Sequence, residues 1–273
     1  MPIPNAEPAP QLERGAMLGR YLVLHPLGEG GMGIVYSAYD PELDRKVAVK
    51  LISASASEDL AGDGQARLLR EAQAMARVSH PNVIAVYDVG TLSNRVFVAM
   101  ELVDGGTLKD WVRQKKRSTR DILRVFVEAG RGLAAAHAAG LVHRDFKPEN
   151  VLISKKEGGR AQVTDFGLAR LAGSSEDRGM KGAALTSLPK RLQQSADDRG
   201  RLLDAQITQH GLVMGTPQYM SPEQHLGKDP DARSDQFSFC AALYWALYGK
   251  RPFDPVQLAA AAVKLDEHDD KTR

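Results

Sequence analysis

Two short loops constrain this chain more than anything else in it. The run Leu141-Val142-His143-Arg144-Asp145-Phe146-Lys147-Pro148-Glu149-Asn150 sets a carboxylate, an ammonium and an amide on one loop. Next come Val151-Leu152-Ile153 and Ala161-Gln162-Val163-Thr164, a short hairpin around Lys155-Lys156-Glu157-Gly158-Gly159 that ends at Asp165-Phe166-Gly167. The second loop adds a carboxylate able to hold a metal on phosphate oxygens. Together these are the parts of a phosphoryl-transfer centre, with a group to take a hydroxyl proton, a cation for the transferring group and oxygen ligands for a divalent ion. Either tripeptide alone is weak, since each arises by chance as a solvated turn. Their order, and the segments around them, carry the weight.

Upstream, Tyr21 to Tyr36 is two β-type segments flanking Leu27-Gly28-Glu29-Gly30-Gly31-Met32-Gly33-Ile34-Val35. Glycines at the first, third and sixth places let the backbone bend tightly and bring N–H groups close to phosphate oxygens. The same spacing opens dinucleotide-binding units, but those need a helix at the glycines. Here a strand follows instead, Arg45-Lys46-Val47-Ala48-Val49-Lys50-Leu51-Ile52, so an oxidoreductase reading fails. Strand alternation puts Ala48 and Lys50 on one face.

Gln65 to Val78 reads as an amphipathic helix, with Leu68, Ala72, Met75 and Ala76 at helical spacing and Glu71 among them. A glutamate bordering that stripe is expected to pair with Lys50 and aim it at the α- and β-phosphates. After the turn His80-Pro81-Asn82, strands are expected over 83–89 and 95–101. The second leads into Met100-Glu101-Leu102-Val103-Asp104-Gly105-Gly106-Thr107, a strand dissolving into glycines before a helix capped at Thr107. A further alanine-rich helix spans Ser118 to Gly140.

Composition adds boundaries rather than identity. The chain has 273 residues, and its hydrophobic content of 43% can supply a real core. With 36 basic against 34 acidic residues the net charge is +2, which asks for no nucleic-acid partner. A single cysteine, Cys240, excludes an internal disulfide framework and points to a reducing, cytoplasmic setting. The longest apolar stretch, Phe237 to Tyr248, is too short to span a bilayer. The Pro-rich residues 1–17 read as a disordered extension.

Residues 171–209 are rich in Gly, Ser, Asp, Arg and Lys and lack apolar periodicity, so they read as a mobile insertion. Order resumes at Leu212 and runs through Gly215-Thr216-Pro217-Gln218-Tyr219-Met220-Ser221-Pro222-Glu223-Gln224. Arg233-Ser234-Asp235 opens a helix that is apolar on nearly every face, ending at Gly249 before Lys250-Arg251-Pro252-Phe253. An alanine-rich segment, Val256 to Leu265, and a charged tail remain.

From about Tyr21 to about Phe253 these motifs resemble the serine/threonine protein kinases, and most of all their bacterial eukaryotic-like branch. Gly-Glu-Gly-Gly-Met-Gly, Gly-Thr-Pro-Gln-Tyr-Met-Ser-Pro-Glu-Gln and Ser-Asp-Gln-Phe-Ser suggest that branch. The resemblance implies an α+β bilobal fold, with a small mainly-β lobe bearing one helix over 18–103 and a mainly-α lobe over 104–273. It implies ATP with magnesium or manganese, and protein substrates bearing Ser or Thr. By this likeness Asp145 orients or accepts the substrate hydroxyl proton, Lys147 stabilises the transferring phosphoryl, and Asn150 and Asp165 hold the metal. Lys50 completes the catalytic set. Leu27, Gly28, Glu29, Gly30, Gly31, Met32, Gly33, Val35, Ala48, Lys50, Glu71 and Met100, with the main chain of Glu101 and Val103, hold the nucleotide. Thr216 is expected in the acceptor pocket, Asp235 under the catalytic loop, and Arg144 facing an anion supplied by phosphorylation, with Thr208 as the site.

Family members continue past Arg-Pro-Phe with several helices, one bearing an arginine that pairs with the glutamate matching Glu223. The second lobe is therefore expected to lack its last helices, to leave some of Phe237, Phe239, Leu243, Trp245 and Leu247 open, and to self-associate there. A second reading, from a different class, is a catalytically weak nucleotide-binding scaffold derived from such an enzyme.

Overall fold

The computed structural model describes residues 12–30, 33–52, 63–92, 95–156, 158–166 and 217–271. Gly31, Met32, Thr208, Thr216 and the stretch 171–209 lie outside the described residues.

The N-terminal lobe is one antiparallel sheet of β1 (Met17–Leu18), β2 (Tyr21–Gly30), β3 (Gly33–Asp40), β4 (Arg45–Ile52), β5 (Val86–Leu92) and β6 (Arg95–Glu101), in the order β1-β2-β3-β4-β6-β5. Side-chain alternation sorts its two faces. Val47, Val49 and Leu51 join Tyr21, Val23, Tyr36, Phe97 and Ala99 in one buried cluster, while Ala48 turns to the other face with Val98 and Met100. Lys50 lies on that second face and is 5% exposed, so its ammonium is a buried charge that needs a partner.

α1 (Asp63–Ala76) packs on β5 and β6. Buried Ala72 belongs to the sheet cluster and buried Met75 to the core of the second lobe, so one helix touches both. The strand expected from Val83 starts at Val86 instead. The reason is hydrogen bonding: the Ile84 N–H goes to Val163 O of the other lobe at 2.9 Å, and Ala85 O accepts from Glu101 N at 2.9 Å.

In the C-terminal lobe, β7 (Gly105–Thr107), β8 (Val151–Ser154) and β9 (Ala161–Val163) form a small sheet. α2 (Leu108–Gln114) is capped by Thr107, whose hydroxyl accepts the Asp110 N–H. α3 (Thr119–Ala138), capped by Ser118, buries Ile122, Val125, Phe126, Ala129, Leu133 and Ala136, a single stripe at helical spacing. Gly132 lies in that stripe because a Cβ there would stand 2.2 Å from Asn82 O. α4 (Pro222–His225), α5 (Ala232–Tyr248) and α6 (Pro255–Lys271) follow.

α5 starts at an Asp231 cap and stops at Gly249, whose φ of 68° suits glycine. Its innermost residues are small: Ser234, Ser238, Ala241, Ala242 and Ala246. Phe239, Leu243, Trp245 and Leu247 pack half-buried on the core, and Phe237 stacks on Phe253 with ring centres 5.7 Å apart. Tyr248 is 64% exposed, so cover of this helix is partial. Among the described residues no helix is long and apolar enough to cross a membrane.

Candidate active site

The catalytic loop hangs from one buried carboxylate. Asp235, at the first turn of α5 and 1% exposed, accepts the His143 N–H at 2.7 Å and the Arg144 N–H at 2.7 Å, and meets His137 Nε2 at 2.7 Å. These bonds fix Arg144 at φ 68°, a conformation that costs a non-glycine residue about 1–3 kcal/mol unless its surroundings hold it. Buried His143 adds a second tie. Its Nδ1 accepts the Asp145 N–H at 3.3 Å, so Nε2 is the nitrogen that donates, to Thr164 O at 2.9 Å. Loop and metal-loop strand are thereby joined through one imidazole.

On that support Asp145 pairs with Lys147 at 2.7 Å. Asn150 Nδ2 donates to Asp145 O at 2.8 Å and to Asp145 Oδ2 at 3.3 Å, which orients the amide. The other face of the amide, Oδ1, is a candidate oxygen ligand. Asp165, at φ 64°, receives Lys50 Nζ on Oδ1 at 2.8 Å. Burial pushes the Asp165 carboxyl up, but Lys50 overcomes it, with His143 and Lys147 adding, and holds the group below the usual carboxylate range. It is therefore ionised at neutral pH.

Glu71 requires a correction. It does not hold Lys50: its Oε1 faces Arg144 NH1 at 3.5 Å, and Lys50 is taken by Asp165. The physical reason is charge balance. Arg144 is a largely buried guanidinium, and the carboxylate nearest to it is on α1.

Strand register brings several of the residues expected to hold a nucleotide to one face. Val35 pairs with Lys50, Ala48 with Met100, and Gly28 with Val35, so loop, lysine and wall share one face of the sheet. Val35 and Val103 pack on the cluster of Ala48 and Met100. Leu27 is 48% exposed, and Glu29 is exposed beside it. At Gly28 and Gly30 an added Cβ would meet nothing within 4 Å, so these glycines leave open room beside the backbone rather than serve packing. Gly33 differs, since at φ 133° a Cβ there would lie 2.1 Å from Leu51 O. Asn150 Oδ1 and Asp165 are hard oxygen donors on facing loops. That suits magnesium, which is held by one or two protein oxygens plus phosphate and water.

The sequence from 21 to 268 matches the protein kinase domain. This chain belongs to the protein kinase family. Its relatives are bacterial serine/threonine kinases: PknJ of Mycobacterium tuberculosis is 35% identical over 257 residues, covering 93% of this chain and 38% of that protein. Pkn2 of Myxococcus xanthus is 38% identical over 239 residues, covering 86% of this chain and 25% of that protein. The chain thus spans less than half the length of these relatives. The crystal structure of the Mycobacterium tuberculosis PknI kinase domain superposes with a TM-score of 0.64 at 26% identity, over 90% of this chain and 81% of that one.

Two groups of this chain carry more of the site than sequence reasoning gave them. Asn82 accepts the Val163 N–H on its backbone at 2.9 Å, and its amide donates to Ala161 O at 2.8 Å, so the turn after α1 clamps the strand leading to Asp165. The Asn after His-Pro was a signal for this. Lys109 on α2 reaches Glu149 of the catalytic loop at 2.5 Å, a pairing for which no local pattern gives a sign. Glu223 is bonded by the Ser234 hydroxyl, a partner within this chain.

Proposed function

We propose that this chain transfers the γ-phosphoryl of ATP to Ser or Thr hydroxyls of proteins, in a signalling role. The observation that carries the reading is Asp145, bonded to Lys147 at 2.7 Å and backed by the Asn150 amide, on a loop that faces Asp165 with Lys50. Asp145 takes or orients the acceptor proton, and Lys147 beside it offsets the charge that develops on the transferring group. Lys50, opposite Val35 in the strand register, would reach phosphates held below the glycine loop. The adenine edge would meet the main chain of Glu101 and Val103; the Glu101 N–H is bonded to Ala85 O, so its carbonyl is the group that would face the ligand. Asn150 and Asp165 would hold a magnesium or manganese ion, whose chemistry is to neutralise phosphate oxygens.

The scaffold reading would leave these chemical groups without use, and they are all present. Localisation in the cytoplasm rests on the single cysteine alone. Incubation with γ-labelled ATP, magnesium and a mixed Ser/Thr peptide library tests the activity. Transfer by the native chain and none by Asp145→Asn is the expected result. No transfer by the native chain, with nucleotide still bound, favours the scaffold.

A further inference from the structure

Where the two lobes meet, the end of α1, the turn 79–81, the start of β5 and the strand β9 enclose a cavity of about 380 Å³. That volume falls within the range of small-molecule sites, roughly 300–1,000 Å³. Strand register separates it from the nucleotide face: Met100 stands opposite Ala48 and Glu101 opposite Val47, so the Glu101 side chain leaves the sheet on the side away from Ala48 and Lys50. Ser79 and Pro81 line the cavity and are exposed, so it opens to solvent there.

The lining has two characters. Val78, Pro81, Val83 and Val86 make one part apolar, while Glu101, Arg160 and Gln162 bring a carboxylate, a guanidinium and an amide to the other. These polar groups do not fully satisfy one another. Gln162, 2% exposed, donates Nε2 to Glu101 Oε2 at 2.7 Å, yet among the described residues its buried Oε1 has no hydrogen-bond partner. Glu101 Oε1 faces Arg160 NH2 at 3.7 Å, longer than a direct hydrogen bond. The lining thus keeps acceptor capacity for an N–H donor, with a guanidinium beside it for an oxygen. A cationic ligand would be set against Arg160 and an anionic one against Glu101, whereas a neutral group that carries both N–H and C=O meets neither repulsion. Water can serve the polar part, but an apolar body gains by displacing it from the valines and the proline.

We propose that this cavity is a second ligand site, which takes a neutral amide carried on a flat apolar ring. The amide N–H donates to Glu101 Oε1, its carbonyl accepts from the Arg160 guanidinium, and the ring lies against Val78, Pro81, Val83 and Val86. The site lies beyond the phosphoryl-transfer reading and does not depend on it.

Benzamide is the probe, titrated against the full chain by ligand-observed magnetic resonance, with benzoate as the comparison because it lacks the N–H donor and carries the sign of Glu101. Saturable binding of benzamide is expected, with benzoate at least about tenfold weaker, one well-placed hydrogen bond with charge repulsion being worth about that factor. Binding should persist under saturating magnesium–ADP. Ser79→Trp, an exposed change at the mouth, should weaken it by about tenfold or more without lowering the melting temperature, and Arg160→Ala should weaken it by removing the donor to the carbonyl. Displacement of benzamide by ADP would place it in the nucleotide site and overturn the inference. Equal binding of benzoate, indifference to both variants, or no saturable binding at all would overturn it too. None of these readings uses phosphoryl transfer, so a chain that never phosphorylates a peptide refutes the proposed activity and leaves this site standing.

Discussion

The Glu71 carboxylate stands 3.5 Å from Arg144 NH1, joining the helix of the N-terminal lobe to the catalytic loop. Both side chains are largely buried, so the pair is no surface ornament. It leaves Lys50 and Asp165 to balance one another at 2.8 Å. The charges that handle phosphate and metal are thus coupled directly to each other.

That coupling predicts the behaviour of Lys50→Ala. Removing the ammonium leaves burial as the leading influence on Asp165, so its pKa rises. In the native chain the lowered pKa keeps the carboxylate ionised from neutral pH down to below the usual carboxylate range near 4. Magnesium–ATP affinity of the native chain should therefore be flat between pH 7.5 and pH 5, while the variant loses affinity toward pH 5. Calorimetric titration at both values checks this, and a variant as flat as the native chain would remove Lys50 from the control of Asp165.

Asp145→Asn should lose phosphoryl transfer by roughly 10²–10⁴-fold, the range of a lost general base. Nucleotide affinity should change only a few-fold, because Asp145 is bonded to Lys147 and Asn150 of its own loop. Single-turnover transfer and nucleotide titration on the same preparation separate the two effects. Equal losses in both would mean that the residue supports the pocket instead of the chemistry.

Asp235→Asn is a test of the support. Both carboxylate oxygens are engaged, by two backbone N–H groups and an imidazole, and an amide would turn an NH2 toward one of those donors. Hydrogen bonds to a buried charge are worth about 1.5–3 kcal/mol each, so a loss of roughly 2–4 kcal/mol is expected in urea unfolding, with transfer lost as well. A stable but inactive variant would show that the loop keeps its shape without the carboxylate.

The glycines separate nucleotide binding from packing. Gly30→Ala places a methyl where nothing lies within 4 Å, so its melting temperature should match the native value while ATP affinity falls. Gly33→Ala forces a Cβ to 2.1 Å from Leu51 O at φ 133°, so the hairpin itself should be destabilised. Thermal melting with and without ATP distinguishes them, and an equal drop in stability for both would contradict the open room at Gly30.

Much of this site was legible because it rests on local rules. Val47-Ala48-Val49-Lys50 alternates as a strand must, so the face of Lys50 followed from its neighbours, and Thr107 capped α2 as its type and place required. Asp235 stood out as a carboxylate opening an apolar helix, and its backbone bonds are those expected of it. What escaped depends on how whole elements sit against each other. Glu71 was placed correctly on its helix, yet its partner is set by the position of α1 relative to the catalytic loop, which no periodicity encodes. Lys109 and Glu149 meet only because α2 rests on the turn Pro148–Asn150. The start of β5 moved for a similar reason, since Ile84 finds its hydrogen bond in the other lobe.

His225 sets an acid limit on stability. It closes α4, its Nε2 is buried without a hydrogen-bond partner, and burial lowers its pKa from the ordinary value near 6.5. The folded state therefore binds a proton less readily than the unfolded one, so stability is full above about pH 6.5 and declines as pH falls from there toward the folded pKa. Replacing the ring by an apolar group removes the proton linkage and the unsatisfied nitrogen together. His225→Leu should thus match or exceed the native chain at pH 5.5, and its melting temperature should fall less between pH 7.5 and pH 5.5. Melting curves at the two pH values decide the matter. An unchanged pH slope in the variant would show that the ring gains a proton partner in solution and does not govern the acid side.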